Sequence, residues 1–169
     1  TASSSATIDF TSNIDSTYNS YVFKFINIHP ATNGTFFQFN MSVDGGSNYN
    51  VTKTTTSFYA YHTESGSASA LTYDTGQDLA QGTGFQNLLY AISSDNDSAG
   101  SGELRIFNPS STTFVKHFIA TSNTAATSPY TINFRYGGYG NTTSAVNAIR
   151  FQMSSGNIDS GDIKLYGIS

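Results

Sequence analysis

The sequence predicts an all-β domain, an antiparallel β-sandwich or jelly roll of about ten strands. Three observations lead there. Apolar residues recur with a period of two in window after window, and each window is bounded by Gly, Asn, Asp or Ser. No window carries an i, i+3, i+4, i+7 apolar stripe over three turns, so helices are nearly absent from the pattern. At 169 residues the chain is one domain by length, and a domain of that size buries about two thirds of the surface its unfolded chain exposes. A full core is therefore available without disulfides, which the lack of cysteine forbids.

In chain order, residues 1–5 (TASSS) read as a linker remnant ahead of the single domain spanning 1–169, and ATIDF (6–10) as the first strand. YVFKFINI (21–28) follows. The clearest strand is TFFQFNMSV (35–43), where Phe37, Phe39, Met41 and Val43 alternate with Phe36, Gln38, Asn40 and Ser42 before the turn residues Asp44, Gly45 and Gly46. SFYAYH (57–62), NLLYAI (87–92), GELRIF (102–107) and TTFVKHFI (112–119) are weaker. One helical turn is expected around Asp78 to Gln81. In PYTINFRY (129–136), Tyr130, Ile132, Phe134 and Tyr136 lie opposite Thr131, Asn133 and Arg135. In AIRFQM (148–153), Ile149, Phe151 and Met153 oppose Arg150 and Gln152. DIKLYGI (162–168) is expected to pair inside the sheet, with both chain ends leaving one end of the domain. The expected core is Phe37, Phe39, Met41, Leu104, Ile106, Ile132, Phe134, Ile149, Phe151, Ile163 and Leu165.

Composition narrows the function. Charged residues make up 11% of the chain, well under the usual quarter, while aromatics reach 14%. Seven Lys and Arg are scattered singly under a net charge of -4. No cationic stripe meets phosphates, so nucleic acid is not an expected partner. No stretch approaches the roughly 18 to 20 apolar residues that span a bilayer, so no membrane insertion is expected. A hydroxyl- and amide-rich surface with little charge suits sugars, or a subunit largely covered by its neighbours.

No catalytic constellation stands out. His29, His62 and His117 are in neither HxH nor HExxH spacing and read as structural; His117 fits either a sheet surface or a hydrogen-bonded core. Asp95, Asp97 and Glu103 surround a Gly-rich loop and are weak calcium candidates, since the EF-hand spacing does not fit. The plainer reading is a solvated loop. YGGYGN (136–141) lacks the Lys-Ser/Thr of a phosphate loop and reads as a long hairpin loop with Tyr139 at its tip. Tyr59, Tyr61, Tyr136 and Tyr139 are candidates for stacking on a glycan, although no Trp is present. Sequons at Asn33, Asn40, Asn50, Asn96 and Asn141 are what so Asn/Ser/Thr-rich a chain yields by chance.

IDFTSNIDSTYNSYVFKFINIHPATN, DGGSNYN, AYH, FNPSSTTFVKHFI, NTTSAVNAIRFQMSSGNID and SGDIKLYGIS together resemble structural proteins of tailed, especially marine, bacteriophages. In these a jelly-roll-like domain ends in a segment of the form F-x-M-SSGNI-x-SG-x-I-KLYGI. The resemblance covers essentially the whole chain. It implies a virion component without enzymatic activity or cofactor: a tail fibre or appendage domain, or a capsid-surface decoration. Such a component assembles as a homo-oligomer, with a trimer expected, alongside other virion proteins and exposed to host-surface glycan. Met153 to Ile158 would make the final turn and Ile163 to Ile168 the final strand. The alternative is a free carbohydrate-binding module of sandwich type; a glycan depolymerase, needing two carboxylates across a groove, stands behind both.

Overall fold

A computed structural model describes residues 1–169 and contains no helix. Twelve strands form: β1 (Ala2–Ser5), β2 (Thr7–Phe10), β3 (Ser20–Pro30), β4 (Thr35–Ser42), β5 (Lys53–Thr63), β6 (Ser69–Tyr73), β7 (Gln86–Ile92), β8 (Gly100–Phe107), β9 (Lys116–Ala125), β10 (Tyr130–Gly140), β11 (Ala148–Met153) and β12 (Ile158–Ile168). An eight-stranded sheet runs β1-β12-β3-β8-β9-β10-β5-β6 and a four-stranded sheet runs β2-β11-β4-β7, with every pair antiparallel. The chain passes between the sheets repeatedly, so strands distant in sequence become neighbours, β3 beside β12 and β4 beside β11. This is a β-sandwich of jelly-roll-like character.

Alternation drives the packing. Along β4, Phe37, Phe39 and Met41 point into the core; along β11, Ile149, Phe151 and Met153 do the same. Phe151 is the hub, stacked on Phe37 (5.5 Å, 7°) and touching Phe23 and Phe10 at 5.4 and 6.0 Å. Burying one such ring contributes about 1.5–3 kcal/mol from area alone. The expected core residues are buried, with Leu165 half-buried at the margin.

Several expectations need correction. Residues 2–5 are not a linker remnant: they pair with β12 as β1, and Ala2 is buried. Thr1 lies beside Asp162, in the body of β12, so it does not share an end with Ser169. β6 escaped prediction. Thr112 to Val115 stay outside β9, which starts at Lys116, and Asp78 to Gln81 form no helical turn. The run Gly137 to Gly140 belongs to β10 rather than to a hairpin loop. Glycine is required at Gly138, where a Cβ would sit 2.5 Å from the Thr54 carbonyl oxygen and 2.9 Å from the Thr55 Cα. On β4, Asn40 and Ser42 were expected in water but are fully buried, and Val43 is exposed.

The closing SSGNIDSG segment is shaped by contacts with the chain's first third. Ser154 Oγ accepts from the Phe36 amide at 3.0 Å, and Thr35 Oγ1 donates to the Ser155 carbonyl at 3.2 Å. Gly161 occupies the bulge between β12 and β3 at φ +123°, where a Cβ would lie 2.8 Å from the Asn27 carbonyl oxygen. Only glycine adopts that backbone without strain. Gly161→Ala is expected to lower unfolding stability by about 1–3 kcal/mol, read by urea denaturation. Ser160→Ala at the adjacent exposed position should stay within about 0.5 kcal/mol.

Candidate functional site

Four strands cannot cover eight. The small sheet packs on β3, β8 and β9 and reaches β10 through Tyr90, which stacks on Phe134 at 5.4 Å. The inner face of β5 lies beyond that reach. Its first half is covered by residues 74–85, the connection from β6 to β7. Ser57 Oγ donates to the Asp74 carbonyl at 2.7 Å. Thr55 Oγ1 donates to Gln86 Oε1 and accepts from the Leu79 amide, both at 2.8 Å. The backbone of the same connection bonds β5 directly, as in Lys53 N to Gly82 O at 2.8 Å. Thr55 and Ser57, buried here, thus both have partners, as burial demands.

The second half of β5 is left open, and tyrosine lines the gap. A depression of about 350 Å³ is walled by Tyr59 and Tyr61 of β5, Tyr90 of β7 and Tyr130 of β10, with Thr63, Ala68, Asp74 and Ile132 completing it. Tyr59 and Tyr61 lie side by side at 6.1 Å, and Tyr130 meets Tyr61 edge-on at 5.7 Å. The hydroxyls of these four tyrosines bond to nothing in the chain, whereas those of Tyr21 and Tyr73 bond to Asp15 and Asp78. Partial desolvation pushes the Tyr59 and Tyr130 phenols above their ordinary range. Asp74 holds one oxygen on the Gly76 amide at 2.9 Å.

The tyrosines expected at a glycan site therefore divide. Tyr59 and Tyr61 share the depression. Tyr136, on the same face, is only 3% exposed, and its hydroxyl is buried without a partner; burial holds that phenol well above its ordinary pKa. Tyr139 points to the opposite face, beside exposed His117 at 6.1 Å. Tyr90 and Tyr130 complete the site from other strands. Tyr130 already stood on the inward side of its strand, but the bulged register between β4 and β7 conceals Tyr90.

The acidic candidates separate too. Asp95 is exposed and caps its own turn, accepting from Ser93 Oγ at 2.9 Å. Asp97 lines a polar depression with His29, Asn27 and Asp159, where the His29 Nδ1 donates to the Ser98 carbonyl at 2.8 Å. Glu103 lies elsewhere, on the outer face of β8 beside Thr121 and Arg135. No three His, Asp or Glu side chains are grouped so as to hold a metal ion.

Two lysines are the features that sequence reading missed. Lys53 and Lys116 flank Gly140 in neighbouring strands, and both are fully buried. Lys53 Nζ donates to Asn40 Oδ1 at 2.5 Å and the Val51 carbonyl at 2.8 Å; Lys116 Nζ donates to the Phe114 and Thr142 carbonyls. No carboxylate pairs with either. Two bonds satisfy a neutral amine, which carries two N–H groups, while an ammonium would keep a third donor unpaired. Desolvation accordingly lowers the Lys53 pKa to about 7 and lowers that of Lys116.

Comparison with protein-family models, curated proteins and solved structures gives no match.

The buried amines set a pH dependence. Above about pH 7 the folded chain releases the Lys53 proton that the unfolded chain holds up to 10.5, so stability rises with pH over that interval. Above 10.0 the trend reverses, because the folded state retains phenolic protons on Tyr59, Tyr130 and Tyr136 that the unfolded state loses. Urea unfolding at a series of pH values is expected to show this maximum, and Lys53→Met should flatten most of the rising limb.

Proposed function

We propose that this chain is a non-enzymatic structural protein of a bacteriophage virion, a tail fibre or appendage domain or a capsid-surface decoration, working as a homo-oligomer among other virion proteins. The reading rests on the resemblance of the whole chain to such proteins, on the sparse charge, and on one structural observation that carries the assembly. The outer face of the large sheet leaves Phe58 45%, Leu71 74%, Tyr73 51% and Ile119 54% exposed. Phe58 and Ile119 line a groove of about 300 Å³ beside Gly137. β6 also ends the sheet with one edge unpaired and every residue exposed.

An isolated molecule keeps that surface in water, and an unpaired apolar edge is prone to association. A neighbouring copy removes both costs. A standard interface buries about 800 Å² per partner, roughly a tenth of the 7816 Å² that this chain exposes. Knobs such as Leu71 and Tyr73 at the edge, and a groove at Ile119 inside the face, are different patches. They suit a head-to-tail ring, of which the trimer is the simplest odd-numbered case. In the virion such a ring presents its remaining surface, loops included, to the host and its glycans.

The test is native mass by light scattering. A particle of three times the 18.1 kDa chain mass is expected, dissociated by Leu71→Glu or Ile119→Glu without loss of the β signal in circular dichroism. A wild-type monomer at micromolar concentration would refute assembly. It would favour the second reading, a free carbohydrate-binding module, whose supporting observation is the tyrosine-lined depression on the inner face.

A further inference from the structure

We propose that the depression bounded by Tyr59, Tyr61, Tyr90, Tyr130 and Asp74 is a binding site for a neutral sugar ring, seated on the sheet's inner face rather than at the loop tips. Three features of that place converge. The volume of about 350 Å³ falls at the small end of the ligand range of roughly 300–1,000 Å³. Its walls are aromatic rings anchored from behind: Tyr59 packs on Phe134 at 5.0 Å and Tyr90 stacks on the same ring. Little ordering is therefore left for a ligand to impose. The polar groups are four phenolic hydroxyls with no partner in the chain, plus a carboxylate with one oxygen uncommitted.

The chemistry selects among ligands. A pyranose has a C–H face to lay on a phenol ring and hydroxyls around its edge that both donate and accept, which matches rings edged by phenols and one carboxylate. A phosphorylated or otherwise anionic ligand meets Asp74 and finds no cation in the walls. A quaternary ammonium would use the ring faces and Asp74 but leave the phenolic donors idle. The neutral sugar alone uses every group present.

Saturation-transfer NMR with the methyl glycosides of glucose, galactose, mannose and N-acetylglucosamine tests this on the intact chain. At least one glycoside is expected to receive saturation and to bind at millimolar concentration. Tyr61→Ala should weaken it about tenfold or more, whereas Tyr139→Ala, on the other face, should leave it unchanged. Should Tyr61→Ala not fold, the double variant Tyr59→Phe/Tyr61→Phe removes only hydroxyls and is expected to weaken binding severalfold. Absence of transfer from all four glycosides overturns the assignment, as does binding that neither variant alters. Occupation of the depression by tetramethylammonium in place of a glycoside overturns it too, in favour of an aromatic cation cage. The site stands apart from assembly: a monomer that binds glycosides refutes only the oligomer, and a trimer that binds none refutes only this site.

Discussion

The mismatch between an eight-stranded and a four-stranded sheet governs this molecule. A sheet face rich in apolar residues must be covered or must face water at a cost proportional to its area. Four strands supply cover for β3, β8 and β9, where Phe23, Phe25, Leu104, Ile106 and Phe118 meet Phe37, Phe39 and Phe151. The inner side of β10 and β5 is left over. Lys53, the buried hydroxyls of Thr55 and Ser57, and the tyrosine depression all lie on that remainder, with Lys116 beside it at the start of β9.

The remainder is covered by different means along its length. Near Lys53 the connection between β6 and β7 lies against β5, so that strand turns Thr55 and Ser57 inward, where they bond to Gln86 and to the Asp74 backbone. Irregular backbone brings its own N–H and C=O groups into the interior. Short hydroxyl side chains match them, whereas valine or leucine would strand them. Lys53 and Lys116 belong to the same solution. Long aliphatic stems fill space beside Gly140, and the amines end on carbonyl oxygens of the surrounding loops. Low overall charge is thus matched by an interior in which even lysine is stabilised by dipoles rather than by counter-ions.

Legibility in the sequence followed the same division. Where a strand keeps one apolar and one wetter face, a period of two shows in its side chains, so β10, β11 and the first half of β4 could be read directly. β6, with the sequence SALTY, escaped because every one of its residues is exposed and no alternation is imposed. β1 escaped because ASSS pairs through its backbone alone, apart from buried Ala2. Lys116 escaped notice, since an inward-facing lysine next to an outward-facing His117 reverses the usual order of burial. Glycine misled at residues 137–140, where it marks neighbours pressing on a strand rather than a flexible tip. Of the tyrosine site, Tyr59 and Tyr61 were visible as a pair on one strand; Tyr90 required the fold, because it comes from the opposite sheet.

The two faces of β5 carry the two surfaces of functional interest, and alternation alone keeps them apart. Tyr59 and Tyr61 point inward to the depression, while Phe58 and Ala60, which alternate with them, point outward to the exposed face. A slip of one residue would exchange these sets and destroy both surfaces at once. The register is accordingly pinned along its length. On one side β10 pairs with β5 from Tyr130 opposite Thr63 to Gly140 opposite Lys53. On the other, β6 holds Phe58 to His62, and the Lys53–Gly82 bridge and the Leu79 carbonyl hold the remainder. The Lys53 amine fixes the final position from inside, since only this register sets it against Asn40 Oδ1. A buried amine that adds nothing to apolar burial thereby acquires a purpose: it makes the wrong register more costly than the right one, as single buried polar groups do in other β and helical assemblies.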